Sequence, residues 1–452
     1  ERLWNLRPCI CAAFSSMAEL QDGGGCLAIN TRSVDEVLFA ITSLMVDENL
    51  YQQKIDEIIQ RPVKTWYEYA GNIVADMDRQ QFGKLFDNPI YYWIDATLTA
   101  NSNSGIQRVN RQLARALLTL GHKLVPVKWD EIKCQIALAS KDDLNYLARW
   151  NGPARGEWHM SFDPEQVDPN ATYLMSDLPL NRPLDVQRRV IKFFKQSSVN
   201  CAAIFYDAIP YKLQAIYPPH FSAAHQEYME ILDGIELIIP ISTTSASDLT
   251  NYLNLSACRG LALEDRIKVA ELPSEFPEIE RTLHHEIHDQ NVCNILVVGT
   301  VEPRKNHDTL IRAFFDATQK SERKLTLTMV GGDESFDKEL PHKIKQLIGN
   351  SASVIWIKNA SDDVLRDQYE KAEFTVFPST EEGFGLPIVE SLWFGIPCIC
   401  SQSGQMAELA SHGGCEMIDV LDVKAMSNAI LNLANNFERL TQLKQQIFDR
   451  HF

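Results

Sequence analysis

The 452-residue chain has no CxxC pair among its ten cysteines, no apolar run of transmembrane length and no stretch in which Lys and Arg dominate. Each absence removes a class of function. Cys9/Cys11 and Cys398/Cys400 alternate along strand-like segments, as small buried hydrophobes do. The cysteines therefore read as reduced thiols, and neither a metal nor a disulfide framework is expected. No membrane-spanning helix is expected, and the opening residues lack a signal-peptide pattern. A net charge of −17 opposes binding to nucleic acid and direct adhesion to anionic lipid. No strand leads into GxGxxG, which speaks against a nicotinamide dehydrogenase. The eleven histidines show no metal-ligand spacing, and His284, His285 and His288 read as solvated. What remains is an ordinary soluble composition, 45% hydrophobic and 23% charged, with length for two or three domains.

The chain repeats itself. Glu1-Arg2-Leu3-Trp4 and Pro8-Cys9-Ile10-Cys11 match Glu390-Ser391-Leu392-Trp393 and Pro397-Cys398-Ile399-Cys400 at a constant offset of 389 residues. Met17 to Leu20 and Gly24 to Cys26 continue the match, so that 14 of the first 26 positions are identical without a gap. Residues 1–87 therefore read as the tail of an upstream copy of the same domain, followed by linker helices. On this offset Trp66 falls just beyond Phe452. Two readings of the helix expected near Trp66 stand open. It docks on the following unit, in place of a last helix that the second copy lacks, or it packs elsewhere.

A complete unit starts at residue 88. Strands are expected at 90–95, 124–127, 173–175, 202–205, 237–239 and 268–270, with helices at 184–196, 221–232 and 244–254. A polar linker follows at 273–290. The alternation restarts in 291–452 with strands at 293–298, 325–330, 353–357 and 374–377, separated by helices at 306–319, 338–348 and 361–369. The fold class is α/β, two Rossmann-like domains (88–272 and 291–452) facing each other across a cleft at the strands' carboxyl ends.

Two stretches carry the chemistry. In Glu382-Gly383-Phe384-Gly385-Leu386-Pro387-Ile388-Val389-Glu390 a Gly-rich loop lies between a strand and a helix, with one glutamate in the loop and one a turn into the helix. Read alone, it is also compatible with a capped turn and two solvated glutamates. In Gly299-Thr300-Val301-Glu302-Pro303-Arg304-Lys305-Asn306, Gly299 ends a strand, and Arg304 and Lys305 precede a helix amino terminus. That arrangement suits a diphosphate.

Together these motifs resemble the retaining GT-B glycosyltransferases of family 4, over roughly residues 88–452. The tandem arrangement resembles bacterial O-antigen polymannose synthases. The resemblance implies that 88–272 is the acceptor domain and 291–452 the nucleotide-sugar donor domain. It further implies that Arg304 and Lys305 hold the diphosphate, that Glu390 accepts from the ribose, and that Glu382 with the backbone of Phe384, Gly385 and Leu386 holds the sugar. Gly105 matches the family's amino-terminal glycine near the phosphates, and Lys358 and Asn359 would neighbour the base. The family's His-Asp pair is replaced here by Tyr206-Asp207. Asp207 reads equally as a sugar or acceptor contact and as a turn cap. Ser242, Thr243 and Ser245 read first as a helix cap. No metal is implied, because Arg304 and Lys305 supply the positive charge and no DxD sits at a strand end.

The resulting expectation is mannosyl transfer from GDP-mannose, with no other cofactor, to a growing lipid-linked O-antigen glycan. The upstream glycosyltransferase domain of the same protein is a partner. The site of action would be the inner face of the bacterial inner membrane, reached through a membrane-bound partner protein. A UDP-hexose donor, or a non-catalytic module serving the upstream copy, are the alternatives.

Overall fold

The computed structural model describes residues 9–12, 26–29, 33–47, 49–51, 53–54, 65–79, 88–100, 103–255, 263–273, 291–333, 336–358, 360–448 and 450. They build two six-stranded sheets and a separate pair of strands. The pair is β1 (Cys9–Ala12) and β2 (Cys26–Ile29), parallel.

The first six-stranded sheet contains β3 (Ile90–Trp93), β4 (Leu124–Asp130), β5 (Gln135–Leu138), β6 (Thr172–Met175), β7 (Asn200–Phe205) and β8 (Leu237–Pro240). Its order is β5-β4-β3-β6-β7-β8, with only β5 antiparallel. The second contains β9 (Val292–Val298), β10 (Lys324–Val330), β11 (Val354–Ile357), β12 (Phe374–Phe377), β13 (Cys398–Ser401) and β14 (Cys415–Ile418). Its order is β11-β10-β9-β12-β13-β14, and every pairing is parallel. In both sheets the strand order reverses beside the first strand, at β3/β6 and at β9/β12. Loops leaving the carboxyl ends there open a crevice suited to a ligand. Strands β3, β6, β8, β12 and β13 are buried along their whole length because helices cover both faces. The buried Ile295, Val297, Leu325 and Leu327, for example, share a core with Leu310 and Phe314 of helix His307–Thr318.

Three expectations are corrected. The first strand stops at Trp93, and Asp95 opens the short helix Asp95–Thr99, its carboxylate accepting from the Trp129 N–H (3.2 Å) and Asn181 (3.0 Å). Residues 268–270 form no strand. Lys268 and Ala270 donate to the carbonyls of Ile238 and Pro240 (3.0 Å each), but Pro240 has no N–H to return a bond, so the ladder does not propagate. The antiparallel β5, pairing Val127–Asp130 with Gln135–Leu138 across a tight turn, was not anticipated.

Helix Trp66–Arg79 docks. Thr65 and Glu68 cap it reciprocally, Thr65 Oγ1 accepting from Glu68 N (3.2 Å) and Glu68 Oε2 from Thr65 N (2.9 Å). Its buried Trp66, Tyr69, Ile73 and Met77 join the core of the first sheet beside Leu113 and Leu117 of helix Gly105–Thr119. The seat is therefore the amino-terminal domain. The linker residues 274–290 and Asn359 lie outside the described residues.

Candidate active site

The loop after β9 and the loop after β12 leave adjacent strands at the switch point, which brings two distant sequence motifs together. Glu382 Oε1 accepts from Arg304 Nη1 (2.6 Å), Lys305 Nζ (2.5 Å) and Ser379 Oγ (2.6 Å). Arg304 also donates to the Glu381 carbonyl (3.1 Å) and has Glu302 Oε2 at 3.3 Å, while Lys305 Nζ lies 4.7 Å from the Phe377 ring centroid. Side chains of Arg304, Lys305 and Glu382 are only 17%, 12% and 10% exposed. Burial works to raise the Glu382 carboxyl, but Arg304 and Lys305 outweigh it and hold it below the usual carboxylate range. Burial works to lower Arg304, but Glu382 and Glu302 raise it. Lys305 is lowered by burial, an effect Glu382 opposes. His307, at the start of the next helix, is buried, and burial with Lys305 pulls its imidazole down to about 3. At neutral pH His307 is therefore uncharged, and the loop's basic groups facing Glu382 are Arg304 and Lys305.

Gly299 faces the Lys305 stem, which lies 3.6 Å from where a Cβ would stand. Gly331, at the end of β10, is packed on this loop so tightly that a Cβ would meet the Gly299 carbonyl oxygen at 2.0 Å.

Gly385, in the left-handed region (φ +107°), caps helix Leu386–Trp393. Glu390 is buried on that helix. Its Oε2 accepts from the Tyr369 hydroxyl (2.9 Å), and its Oε1 accepts from Arg108 of the opposite domain. Tyr369 is itself fixed by stacking on Phe394 (4.9 Å between centroids).

The two domains meet across the cleft at this loop. A Cβ on Gly383 would lie 2.6 Å from the Tyr206 carbonyl oxygen and 3.0 Å from Asp207 Cβ. Ser242 Oγ lies 2.6 Å from the Gly383 carbonyl and accepts from Ser245 N (3.0 Å), so it both caps its helix and lines the cleft. Thr243 donates to Glu408 (2.8 Å), and Lys212 bridges Glu381 and Asp248. Phe384 is buried in the amino-terminal domain's core, and Leu386 packs at its margin, opposite Gly105 (3.6 Å from a Cβ there). Tyr217 and Phe336 close another part of the junction at 4.7 Å.

The remaining expected residues divide. Asp207 Oδ1 accepts from Ile209 N (2.9 Å), a turn cap, while its other oxygen borders Gly383, and burial raises its carboxyl. Tyr206 turns inward, donating to the Ser176 carbonyl (2.6 Å), and does not take the place of a cleft imidazole. Lys358 pairs with Asp333 beside Trp356 at the end of β11. Arg108, Tyr369, Ser379 and Lys212 were not anticipated. Arg108 lies one helical turn past Gly105, a spacing that was legible. Its partner, 282 residues away, was not. Among the described residues no group of three or more His, Cys, Asp and Glu could hold a metal ion.

Residues 282–450 match the family described as glycosyl transferases group 1. The likeness to a group 1 glycosyltransferase domain thus spans the second sheet and its helices. In that domain fall Arg304, Lys305, Glu382 and Glu390, all four at the cleft. Among curated relatives, O-antigen chain mannosyltransferase B of Escherichia coli is 29% identical over 206 residues, covering 45% of this chain and 52% of that protein. The serotype-specific mannosyltransferase WbdA of Escherichia coli is 29% identical over 119 residues, covering 26% of this chain and 14% of that protein. The chain thus spans about half the length of the first and a small part of the second. Among solved structures, sucrose-phosphate synthase from Thermosynechococcus elongatus superposes with a TM-score of 0.55 at 16% identity, over 80% of this chain and 94% of that one. Anabaena HepE in complex with UDP-glucose superposes with a TM-score of 0.54 at 13% identity, over 80% and 93%. These likenesses establish the fold around the glycosyltransferase domain: two Rossmann-like domains in the GT-B arrangement.

Proposed function

We propose that this protein is a retaining glycosyltransferase that moves mannose from GDP-mannose to a growing, lipid-linked O-antigen polysaccharide. The observation that carries the reading is the single Glu382 carboxylate holding Arg304 and Lys305 at the switch point of the second sheet. Two largely buried cations share one carboxylate oxygen, with Glu302 also beside Arg304, and an incoming diphosphate offers both of them further acceptors. Cleaving a glycosyl–phosphate bond makes the sugar cationic and the leaving diphosphate anionic. Arg304 and Lys305 stabilise the leaving group, and Glu382 faces the sugar. The phosphate leaving on the acceptor's side takes the acceptor proton, so retention requires no second carboxylate as nucleophile. Metal is not required in this scheme.

Glu390 would receive the ribose hydroxyls. Tyr369 holds one of its oxygens and Arg108 occupies the other, so the incoming donor competes with or shares the Arg108 contact. The amino-terminal domain, meeting the Glu382–Glu390 segment through Gly105, Asp207 and Ser242, would present the acceptor. Mannose is supported by the names of both mannosyltransferase relatives, and the glycan acceptor by their O-antigen and serotype roles. No helix among the described residues is long and apolar enough to cross a membrane, so in this reading a membrane-bound partner brings the enzyme to its lipid-linked acceptor.

A UDP-hexose donor is the second reading, favoured by the UDP-glucose held by HepE on the same fold. The test measures nucleoside diphosphate released from GDP-mannose and from UDP-hexoses with a short mannose oligosaccharide, for wild type and Glu382→Ala. Turnover with GDP-mannose that the variant loses is expected. Turnover with a UDP-sugar alone would replace the donor, and binding without turnover would make the chain a non-catalytic module.

A further inference from the structure

From Ala96 to Trp129 the sequence has no acidic residue, although the whole chain carries a net charge of −17. The same stretch holds Arg108, Arg111, Arg115, Lys123 and Lys128, and the three arginines lie on helix Gly105–Thr119. Arg108 reaches Glu390, Arg115 donates to the Asn151 carbonyl (3.3 Å), and Lys128 pairs with Asp143 (2.6 Å). Arg111 differs from these.

Arg111 is only 1% exposed, yet one side of its guanidinium is unmatched. Nη1 donates to Asn103 Oδ1 (2.9 Å), while Nε and Nη2 have no hydrogen-bond partner among the described residues. Nε and Nη2 form one edge of the plane, and their parallel N–H groups fit two oxygens of a single anion. Aromatic rings hold the group in place. Its central carbon lies 4.7 Å from the Trp150 ring centroid and 5.6 Å from that of Tyr146. The Tyr146 hydroxyl is spent on the Ala100 carbonyl. Arg149 packs over the same Tyr146 ring (4.8 Å) and brings a second positive charge.

The acid that supports Arg111 from nearby is committed elsewhere. Asp177 Oδ2 accepts from Thr97 N (2.6 Å) and Oδ1 from Thr97 Oγ1 (2.9 Å). Burial lowers the Arg111 guanidinium, an effect that Tyr146 and Asp177 oppose and Arg149 reinforces. A guanidinium keeps its proton in proteins, so an unmatched buried edge costs stability until an acceptor fills it. Asn103, Tyr146 and Trp150 are half-buried and Arg149 is exposed, which leaves the edge close beneath the surface.

We propose that the Nε–Nη2 edge of Arg111, with Arg149 beside it, binds a phosphate group at a site separate from Arg304 and Lys305. Two arginines suit the double charge of a phosphate better than the single charge of a carboxylate. The site lies on the amino-terminal domain, three residues or about 4.5 Å along the helix from Arg108. Two sources share this chemistry: free inorganic phosphate, and a phosphate carried by the acceptor. The second rests on the proposed lipid-linked acceptor.

Selenate, a tetrahedral oxyanion with an anomalous X-ray signal, is the probe for the site. Crystals soaked in millimolar selenate should show a peak within hydrogen-bond reach of Arg111 Nε and Nη2. Arg111→Lys, which keeps the charge and lacks the fork, should lose it. Arg149→Gln, a change at an exposed residue, should fold and lower the occupancy by about half or more. A water or an empty edge at Arg111 in the wild type overturns the proposal, and unchanged occupancy in Arg149→Gln overturns the part given to Arg149. The source is read from KM for a mannose oligosaccharide with and without a terminal phosphate. A KM about tenfold lower for the phosphorylated acceptor, a preference that Arg111→Lys loses, assigns the acceptor's phosphate. Equal KM values with selenate bound assign free phosphate. Absence of turnover with either acceptor would count against the mannosyltransferase reading, and the crystallographic result would still decide the anion site.

Discussion

Replacing Glu382 by Gln keeps the shape of the Glu382–Glu390 loop and removes the one charge that Arg304 and Lys305 share, leaving Glu302 beside Arg304. In the wild type a single oxygen takes three donors within 2.5–2.6 Å, on side chains at most 17% exposed. Deleting one partner of such a buried pair costs about 3–5 kcal/mol, and the amide oxygen that remains recovers part of it as neutral hydrogen bonds, leaving roughly 2–3 kcal/mol. For a domain of this size that lowers Tm by roughly 5–10 °C. The discriminating assay is calorimetry with and without saturating GDP. If the diphosphate lands on Arg304 and Lys305, it supplies the lost charge, and the deficit should shrink to less than half. The pH profile gives an independent reading. Glu382 is held below its unfolded value of 4.5, so its stabilisation is present above that pH and is lost as pH falls through the lower folded value. The gap between wild type and variant should close in that acid range. A deficit of the same size with and without GDP would refute the assignment of Arg304 and Lys305 to the diphosphate.

Four further outcomes are expected. Gly383→Ala places a methyl 2.6 Å from the Tyr206 carbonyl across the cleft, and should cut kcat/KM by about 10- to 100-fold and lower Tm by a few degrees, as overpacking of about 1–3 kcal/mol predicts. Tyr369→Phe removes the donor to Glu390 and should raise the donor KM about tenfold with kcat nearly kept, since a hydrogen bond to a charged group contributes about 1.5–3 kcal/mol. Gly331→Ala, with a Cβ 2.0 Å from the Gly299 carbonyl, should lower Tm more than Gly383→Ala in the same calorimetric scan. His225 is buried and pulled down from 6.5 to about 4, so the unfolded chain binds its proton first and stability falls as pH drops from 6.5 to about 4. Urea titrations of His225→Gln should show a shallower loss across that window.

Much of the molecule was legible from its residues. Apolar strands alternating with amphipathic helices gave both sheets nearly element by element, because a parallel sheet buried on two faces leaves runs such as Leu237-Ile238-Ile239 that few other structures tolerate. Arg304, Lys305 and Glu382 were legible as a group because each sits where a strand's carboxyl end meets a loop. The exceptions have local physical causes. Pro240 stops a ladder at 268–270, Asp95 leaves its strand to serve Trp129 and Asn181, and β5 lacks the buried apolar run of the other strands, with only Ile136 fully buried.

Sequence by itself determined the elements and the residue types at the cleft, since these depend on periodicity and spacing within a few tens of residues, and it showed the repeat by direct identity at an offset of 389. Tertiary structure alone decided which side chains meet. Arg108 reaches Glu390 and Ser242 meets Gly383 only when the two sheets face one another, and Trp66 seats beside Leu113 only when its helix folds back on the first sheet. Such contacts leave no periodic trace, because neither partner's local backbone depends on the other. The same reason separates the two copies. Strand pairs β1–β2 and β13–β14 share five of eight residues and the same register, yet the packing around them makes Ile430 core and leaves its counterpart Ile41 exposed.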